Sequence, residues 1–222
     1  MTPGALESAV TDAGFYIGGT FTLTPEEAAL FSTPGPDALL IGNTGPDMWR
    51  RFRQEQGDDG LPDPLNRWTR QRLDRIAGQA DALVIYPFDG PPWPPFGQWA
   101  LRTGQYFESP TGLKIHPRLG LWQAFRAVLV LPEGWPVTML ATETPGRSPC
   151  DSCRDRPCLT TCPVGAFSPA GYDVAACRHH VGGPGTDCLN RGCLARHACP
   201  VAPDRAYAPD QAAFHMQSFL TP

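Results

Sequence analysis

Over the first 140 positions the apolar residues fall into two patterns, short unbroken runs and helix-spaced stripes. Asp37-Ala-Leu-Leu-Ile-Gly42 is a short apolar run opened by Pro34-Gly-Pro36, which predicts a buried strand. Pro46 to Gln56 follows as a helix, with Pro46 near its first turn. Asp63-Pro64 reads as an N-cap followed by proline at the first helical position. Leu65, Trp68, Leu73, Ile76, Ala77 and Ala80 supply the apolar stripe of that helix. Ala82-Leu-Val-Ile-Tyr86 is a second strand, and the stiff loop Pro91-Pro-Trp-Pro-Pro95 leads into a helix through Tyr106. The run Leu121 to Leu131, ended by Pro132-Glu-Gly134, is too short for a membrane and predicts a central strand covered on both faces. Together these give an α+β or α/β chain with a mixed sheet.

The character changes in the last third. All eight cysteines lie between Cys150 and Cys199, and Thr142 to Pro149 reads as a linker. The expected division is a first domain over 1–141, a linker over 142–149, a cysteine-bearing domain over 150–205 and a tail over 206–222. At 222 residues and 41% hydrophobic, the chain can bury one sizeable core and carry a small second module. A formal charge of −4 with one lysine, Lys114, offers no basic tract for nucleic acid. Arg50, Arg51 and Arg53 cluster beside Met48, Trp49 and Phe52 and read as the solvated face of a helix. The N-terminus MTPGALESAV has neither a basic n-region nor an apolar h-region, and no run is long enough to span a bilayer. The expectation is a cytoplasmic protein with no membrane partner, whose cysteines bind metal rather than pair as disulfides.

The cysteine spacing is specific. Two residues separate Cys150 from Cys153, four separate Cys153 from Cys158, and three separate Cys158 from Cys162, which Pro163 follows. Bacterial ferredoxins use gaps of two, two and three and end in Cys-Pro, so the middle gap here is two residues longer. The second group, Cys177, Cys188, Cys193 and Cys199, is looser and ends in Pro200. In two-cluster ferredoxins the fourth cysteine of each motif ligates the other cluster. Applied here, Cys150, Cys153, Cys158 and Cys199 hold one 4Fe–4S cluster, and Cys162, Cys177, Cys188 and Cys193 hold the other. Two structural zinc sites are the alternative. The Cys-Pro endings and the three-residue gap before Cys162 favour clusters. His179, His180 and His197 read as surface or supporting residues.

Further candidates lie upstream. Arg126 sits within an apolar strand and needs a partner, which is either a bound ligand or an acid across the sheet. His116-Pro117 is a turn element that can also donate to a ligand. Gly112 and Gly120 serve turns or a close approach to a flat ligand. Trp93, Trp99, Tyr106 and Trp122 line a pocket or fill the core.

The segment Gly112-Leu-Lys-Ile-His-Pro-Arg-Leu-Gly-Leu-Trp-Gln-Ala-Phe-Arg-Ala-Val-Leu-Val-Leu-Pro-Glu-Gly134 resembles the CblC-type cobalamin-processing enzymes, with weaker similarity over most of residues 14 to 134. The cysteine module is similar to that of epoxyqueuosine reductases, which also join a cobalamin-binding domain to a double-cluster domain. The resemblance implies a flavin-nitroreductase-like α+β domain followed by a small ferredoxin-like iron–sulfur domain. It also implies base-off cobalamin held by Gly112, His116, Arg118, Gly120, Trp122 and Arg126. The part of the CblC-type chain that binds glutathione is replaced here by the cysteine module, so an external electron donor feeding two clusters takes the place of the thiol. The implied function is an iron–sulfur corrinoid-processing reductase. A cobalamin-dependent reductase of a separate substrate, with Asp89 or Glu108 as proton donor by position, is one alternative. A ferredoxin-type carrier without corrinoid is the other. The segment Ala208 to Leu220, with Phe214 and Phe219, predicts a short helix that docks on the first domain or on a second copy of the chain.

Overall fold

The computed structural model describes residues 1–140 and 146–221. The chain opens with α1 (Pro3–Asp12), β1 (Tyr16–Thr22), α2 (Pro25–Phe31), β2 (Asp37–Thr44), α3 (Asp47–Glu55), α4 (Pro64–Gln79), β3 (Leu83–Ile85) and α5 (Phe96–Arg102). It continues through β4 (Phe107–Glu108), β5 (Lys114–Ile115), β6 (Gln123–Val130), α6 (Pro157–Thr160), β7 (Phe167–Ser168) and β8 (Gly171–Tyr172). The last elements are α7 (Val174–Val181), α8 (Asp187–Arg191), α9 (Leu194–His197) and α10 (Pro209–Leu220). The described residues of Met1–Gln105 and Ala124–Pro145 form one compact unit, and those of Tyr106–Gln123 and Gly146–Pro222 form a second.

The first unit is a four-stranded sheet in the order β1-β2-β6-β3 with helices packed on it. β1 pairs with β2 and β3 with β6, both antiparallel, so the chain is of mixed α+β type. β6 is an inner strand, as its apolar run predicts, and Ala127 to Val130 are completely buried. The α4 stripe faces inward through Leu65, Trp68, Leu73, Ile76 and Ala77. Asp63, however, adopts a left-handed conformation and makes no side-chain cap, so Pro64 alone marks the helix start. On α3, Met48, Trp49 and Phe52 are buried while Arg50, Arg51 and Arg53 are exposed. The helix expected through Tyr106 ends at Arg102, and the chain turns at Gly104, whose φ is positive. The sequence reading assigned no element before Asp37. There the structure has α1, capped by Thr2, and α2, opened by a reciprocal Thr24–Glu27 capping box. β1 shifts register between Ile17 and Thr20, which breaks the alternation a strand normally shows.

The second unit is built from short pieces: the two-stranded ribbons β4–β5 and β7–β8 and the helices α6 to α10. It takes in residues 106–123, which the sequence reading had placed in the first domain. The reason is packing: Ile115 and Leu121 share a buried cluster with Cys199, and Trp122 shares another with Tyr207 and Ala212. The tail forms the twelve-residue α10, which packs along α8 and α7 of its own unit. Of the expected linker, residues 142–145 lie outside the described residues.

Candidate metal centre

Short capped turns position the first four cysteines. Ser148 Oγ accepts from Cys150 N–H at 3.3 Å, capping the turn that carries Cys150. Arg156, in a left-handed conformation, opens α6, which carries Cys158. Cys150, Cys153, Cys158 and Cys199 line one cavity together with Ser109, Pro110, Ile115, Leu121 and Val201. The backbone at Leu159 and at Val201 favours the ionised forms of Cys158 and Cys199.

The remaining four cysteines gather around β7–β8 and α7 to α9. After Cys162-Pro163, Gly165 takes a positive φ and its N–H donates to the Cys162 carbonyl, so that Ala166 N–H reaches Cys162 Sγ at 3.3 Å. Asp173 caps α7, which carries Cys177, and Thr186 caps α8, which carries Cys188. Cys193 itself opens α9. The backbone at Leu194 favours the ionised form of Cys188, and that at Ala195 and Arg196 the ionised form of Cys193. At Gly192, with φ +90°, a Cβ would stand 3.0 Å from Ala212 Cβ, so glycine lets α10 close on this loop. The sulfurs act on one another within the set: Cys188 on Cys193, Cys177 on both, and Cys162 on Cys188.

Burial pushes the thiols of Cys150, Cys158, Cys188, Cys193 and Cys199 above their ordinary value, and neighbouring sulfurs push in the same direction. A set of crowded, half-buried thiols ionises together when a cation neutralises it. Among the described residues no three His, Cys, Asp or Glu side chains gather closely enough to hold a single metal ion. The shared cavity and the mutual action of the sulfurs therefore define the two sets.

Several residues expected to touch a corrinoid have other partners. Trp122 is 2% exposed, with its ring edge-on to His197 at 4.7 Å and to Tyr207 at 5.6 Å, so it is core and lines no open pocket. Gly120 has φ +59°, and a Cβ there would lie 2.2 Å from the Val201 carbonyl oxygen. The space its missing side chain leaves is filled by the chain just after Cys199, not kept for a ligand. Arg126 Nε donates to Oδ1 of the completely buried Asn43 at 2.6 Å, a neutral partner that neither sequence alternative named. Gly112, with φ +77° and open space around it, serves a turn. Arg118 is exposed. Of the other aromatics, Trp99 and Tyr106 are buried and Trp93 is exposed. Asp89 pairs with Arg70, and Glu108 with Lys114 at 2.7 Å.

His116 folds its own loop. Its backbone exchanges hydrogen bonds with Gly120, and its Nδ1 accepts from the N–H groups of Arg118 and Leu119 at 3.1 and 3.3 Å. An Nδ1 that accepts leaves the ring proton on Nε2. Burial, helped by the Arg118 charge, lowers its pKa to about 4, so the ring is neutral at pH 7.

Sequence reasoning missed Arg196. Its Nε and Nη2 donate to the Leu121 carbonyl at 2.9 and 2.6 Å, and Nη2 also donates to the Gln123 carbonyl at 3.3 Å. The guanidinium lies 4.6 Å from the Trp122 ring centroid and 4.5 Å from that of Tyr207. The residue three positions after Cys193 thus gives its side chain to the segment carrying Leu121 and Trp122. Its position between Cys193 and Cys199 was the one available signal.

No family model matches the chain, and no curated protein matches it. Among solved structures it is similar to the C. elegans B12-trafficking protein CblC, a homologue of human MMACHC, with TM-score 0.57 and 17% identity over 98% of this chain and 92% of that one. It is similar to a selenomethionine-labelled epoxyqueuosine reductase, with TM-score 0.53 and 14% identity over 94% of this chain and 70% of that one. An epoxyqueuosine reductase solved with a tRNA-Tyr stem loop gives TM-score 0.52 and 15% identity over 94% and 69%. The chain therefore shares its fold with both a CblC protein and epoxyqueuosine reductases.

Proposed function

We propose that this chain is an iron–sulfur corrinoid-processing reductase. In this reading Cys150, Cys153, Cys158 and Cys199 hold one 4Fe–4S cluster, and Cys162, Cys177, Cys188 and Cys193 hold a second, in a ferredoxin-like arrangement. The observation that carries it is the four-cysteine cavity, because Ile115 and Leu121 of the corrinoid-type motif line it together with the cysteines. The donor set fits the group: four cysteines per site, apolar residues lining the first, and the Ala166 N–H on the Cys162 sulfur in the second. When bound, such clusters supply single electrons at low potential, here toward a corrinoid whose cobalt is reduced or whose upper ligand is released.

The chain's own contribution is positional and electrostatic. Ile115, Leu121 and Val201 line the cavity of the first set with apolar surface, and the Ala166 N–H supports negative charge on Cys162 of the second. Arg196 fixes the backbone of Leu121 and Gln123. With Gly120 and Trp122 absorbed into packing, the substrate-facing part of the motif reduces to the Gly112 turn, the Nε2–H of His116 and the exposed Arg118. Of these, the His116 Nε2–H and the Arg118 guanidinium are donors suited to corrin amides or a nucleotide phosphate. The likeness to epoxyqueuosine reductases supports a second reading, with cobalamin as a bound cofactor and a separate substrate. That reading requires a proton donor, and Asp89 and Glu108 are both engaged in ion pairs.

The test is metal analysis and absorbance on anaerobically purified protein, repeated with hydroxocobalamin and an external reductant. About eight iron per chain, four per cluster, and a corrinoid spectrum shifted to a base-off or reduced form are expected. Two zinc per chain, or an unchanged corrinoid spectrum, overturns the proposal.

A further inference from the structure

We propose that the cleft between the end of α1 and α3 binds the oxyanion of a small molecule, a carboxylate or a phosphate, on the guanidinium of Arg51. The site lies wholly within the first unit and does not depend on the iron–sulfur reading. The cleft has a volume of about 500 Å³, within the range that holds a compact small molecule. Thr11 and Gly14 line one side of it, and Asp47, Arg50, Arg51 and Gln54, which recur at helical spacing on α3, line the other. Gly14 is what places Arg51. Its φ is +88°, and a Cβ there would stand 2.9 Å from Arg51 Cδ and 3.3 Å from Arg51 Nε. Glycine alone admits both the turn and the arginine stem lying across it. A long side chain held along its stem has less rotamer freedom to lose when it takes a ligand.

Other arginines of this unit are occupied: Arg67 pairs with Asp59, Arg70 with Asp89, Arg72 with Glu55 and Arg102 with Glu27. Arg51 makes no ion pair and no hydrogen bond among the described residues. Nor is it needed to close α1, because the N–H groups of Ala13, Gly14 and Phe15 already donate to the carbonyls of Ala9, Thr11 and Val10. The charge balance points the same way. Arg50 pairs with Asp47, so the charged side chains lining the cleft leave a single positive charge, that of Arg51. The planar guanidinium presents parallel N–H donors that match two oxygens of one carboxylate or phosphate. The Thr11 hydroxyl and the Gln54 carboxamide supply neutral donors beside it. The Asp47 carboxylate disfavours a polyanion, so the ligand class is a small mono- or dianion.

The experiment titrates inorganic phosphate and, separately, succinate into the full chain at low ionic strength, followed by isothermal calorimetry with chloride as the reference anion. Saturable binding of phosphate or of succinate is expected, and the tighter of the two assigns the oxyanion. Arg51→Gln should weaken that binding about tenfold or more, the loss of one charge-assisted pair. Arg51→Lys, which keeps the charge without the fork, should recover only part of it. Arg53→Gln, at a residue outside the cleft that lies over the Trp49 ring, should leave binding unchanged. A second arm needs no variant: in the parent protein either anion should shield Arg51 from phenylglyoxal while Arg53 reacts as before, read by peptide mass spectrometry. Failure of both anions to saturate, equal weakening by Arg51→Gln and Arg53→Gln, or equal labelling of Arg51 with and without anion overturns the proposal. A protein without iron overturns the cluster reading and leaves this one standing.

Discussion

Leu39, Leu40 and Ile41 of β2 and Ala127 to Val130 of β6 are completely buried in the first unit, beneath helices of seven to sixteen residues. In the second unit, the helices that carry or flank the cysteines have four, eight, five and four residues. Two of its apolar clusters are no larger than Ile115, Leu121 and Cys199, and Trp122, Tyr207 and Ala212, with a few partly buried neighbours. Helices so short do not persist by themselves in water, and a core so thin calls for a staple. The difference teaches where each unit keeps its stability. The first relies on apolar burial, the second on capped turns and, in the proposed reading, on the metal its cysteines would hold.

Removing the metal should break the comparison hardest. Chelating the iron, or Cys188→Ser, is expected to strip hydrogen-exchange protection from the second unit while β2 and β6 keep theirs. Simultaneous loss in both units would show that they do not differ in this way. The mirror experiment is Trp68→Ala, at a residue 1% exposed on α4, which should cost the first unit about 3–5 kcal/mol in denaturant unfolding and leave the iron content unchanged. Gly120→Ala sharpens the contrast within the second unit. It combines a positive φ with a Cβ 2.2 Å from the Val201 oxygen, and about 1–3 kcal/mol of destabilisation with reduced iron retention is expected.

The smallest effect is pH dependence at His116. Its pKa falls from 6.5 to about 4 on folding, so between those values the unfolded chain binds more protons than the folded one. Stability from this group is complete above pH 6.5 and falls as pH drops, by at most ~1.4 kcal/mol per unit. Unfolding curves at pH 5.0 and 6.5 should separate for the parent protein and converge for His116→Asn.

What could be read in the chain depended on whether the signal was local. β2, β6, α3 and α4 were legible because each carries its own periodicity within a dozen or so residues. β1 was not, because Gly18-Gly19 and a register shift interrupt its alternation. The cysteines were legible as ligands through their spacing and the two Cys-Pro endings. The roles of Gly120 and Arg196 were hidden, since a glycine's freedom does not reveal what fills the space beside it. A clamp from Arg196 to Leu121 spans 75 positions. The choice of core over pocket for Trp122, and of its own unit as the seat of the tail helix, was hidden for the same reason, as their partners are distant in sequence.

The Arg196 clamp and the Gly120–Val201 contact bear on how such a chain is inherited. Because the cysteine-bearing unit draws Ile115, Leu121 and Trp122 from a stretch threaded through the first unit's sequence, it is no cassette that recombination can exchange at residue 146. A fragment starting there would carry all eight cysteines yet lack one wall of the cavity that four of them share. Drift in the motif segment and drift in the cysteine loops are therefore tied together: a change that shifts Leu121 must be answered near Arg196, and one at Val201 must respect Gly120.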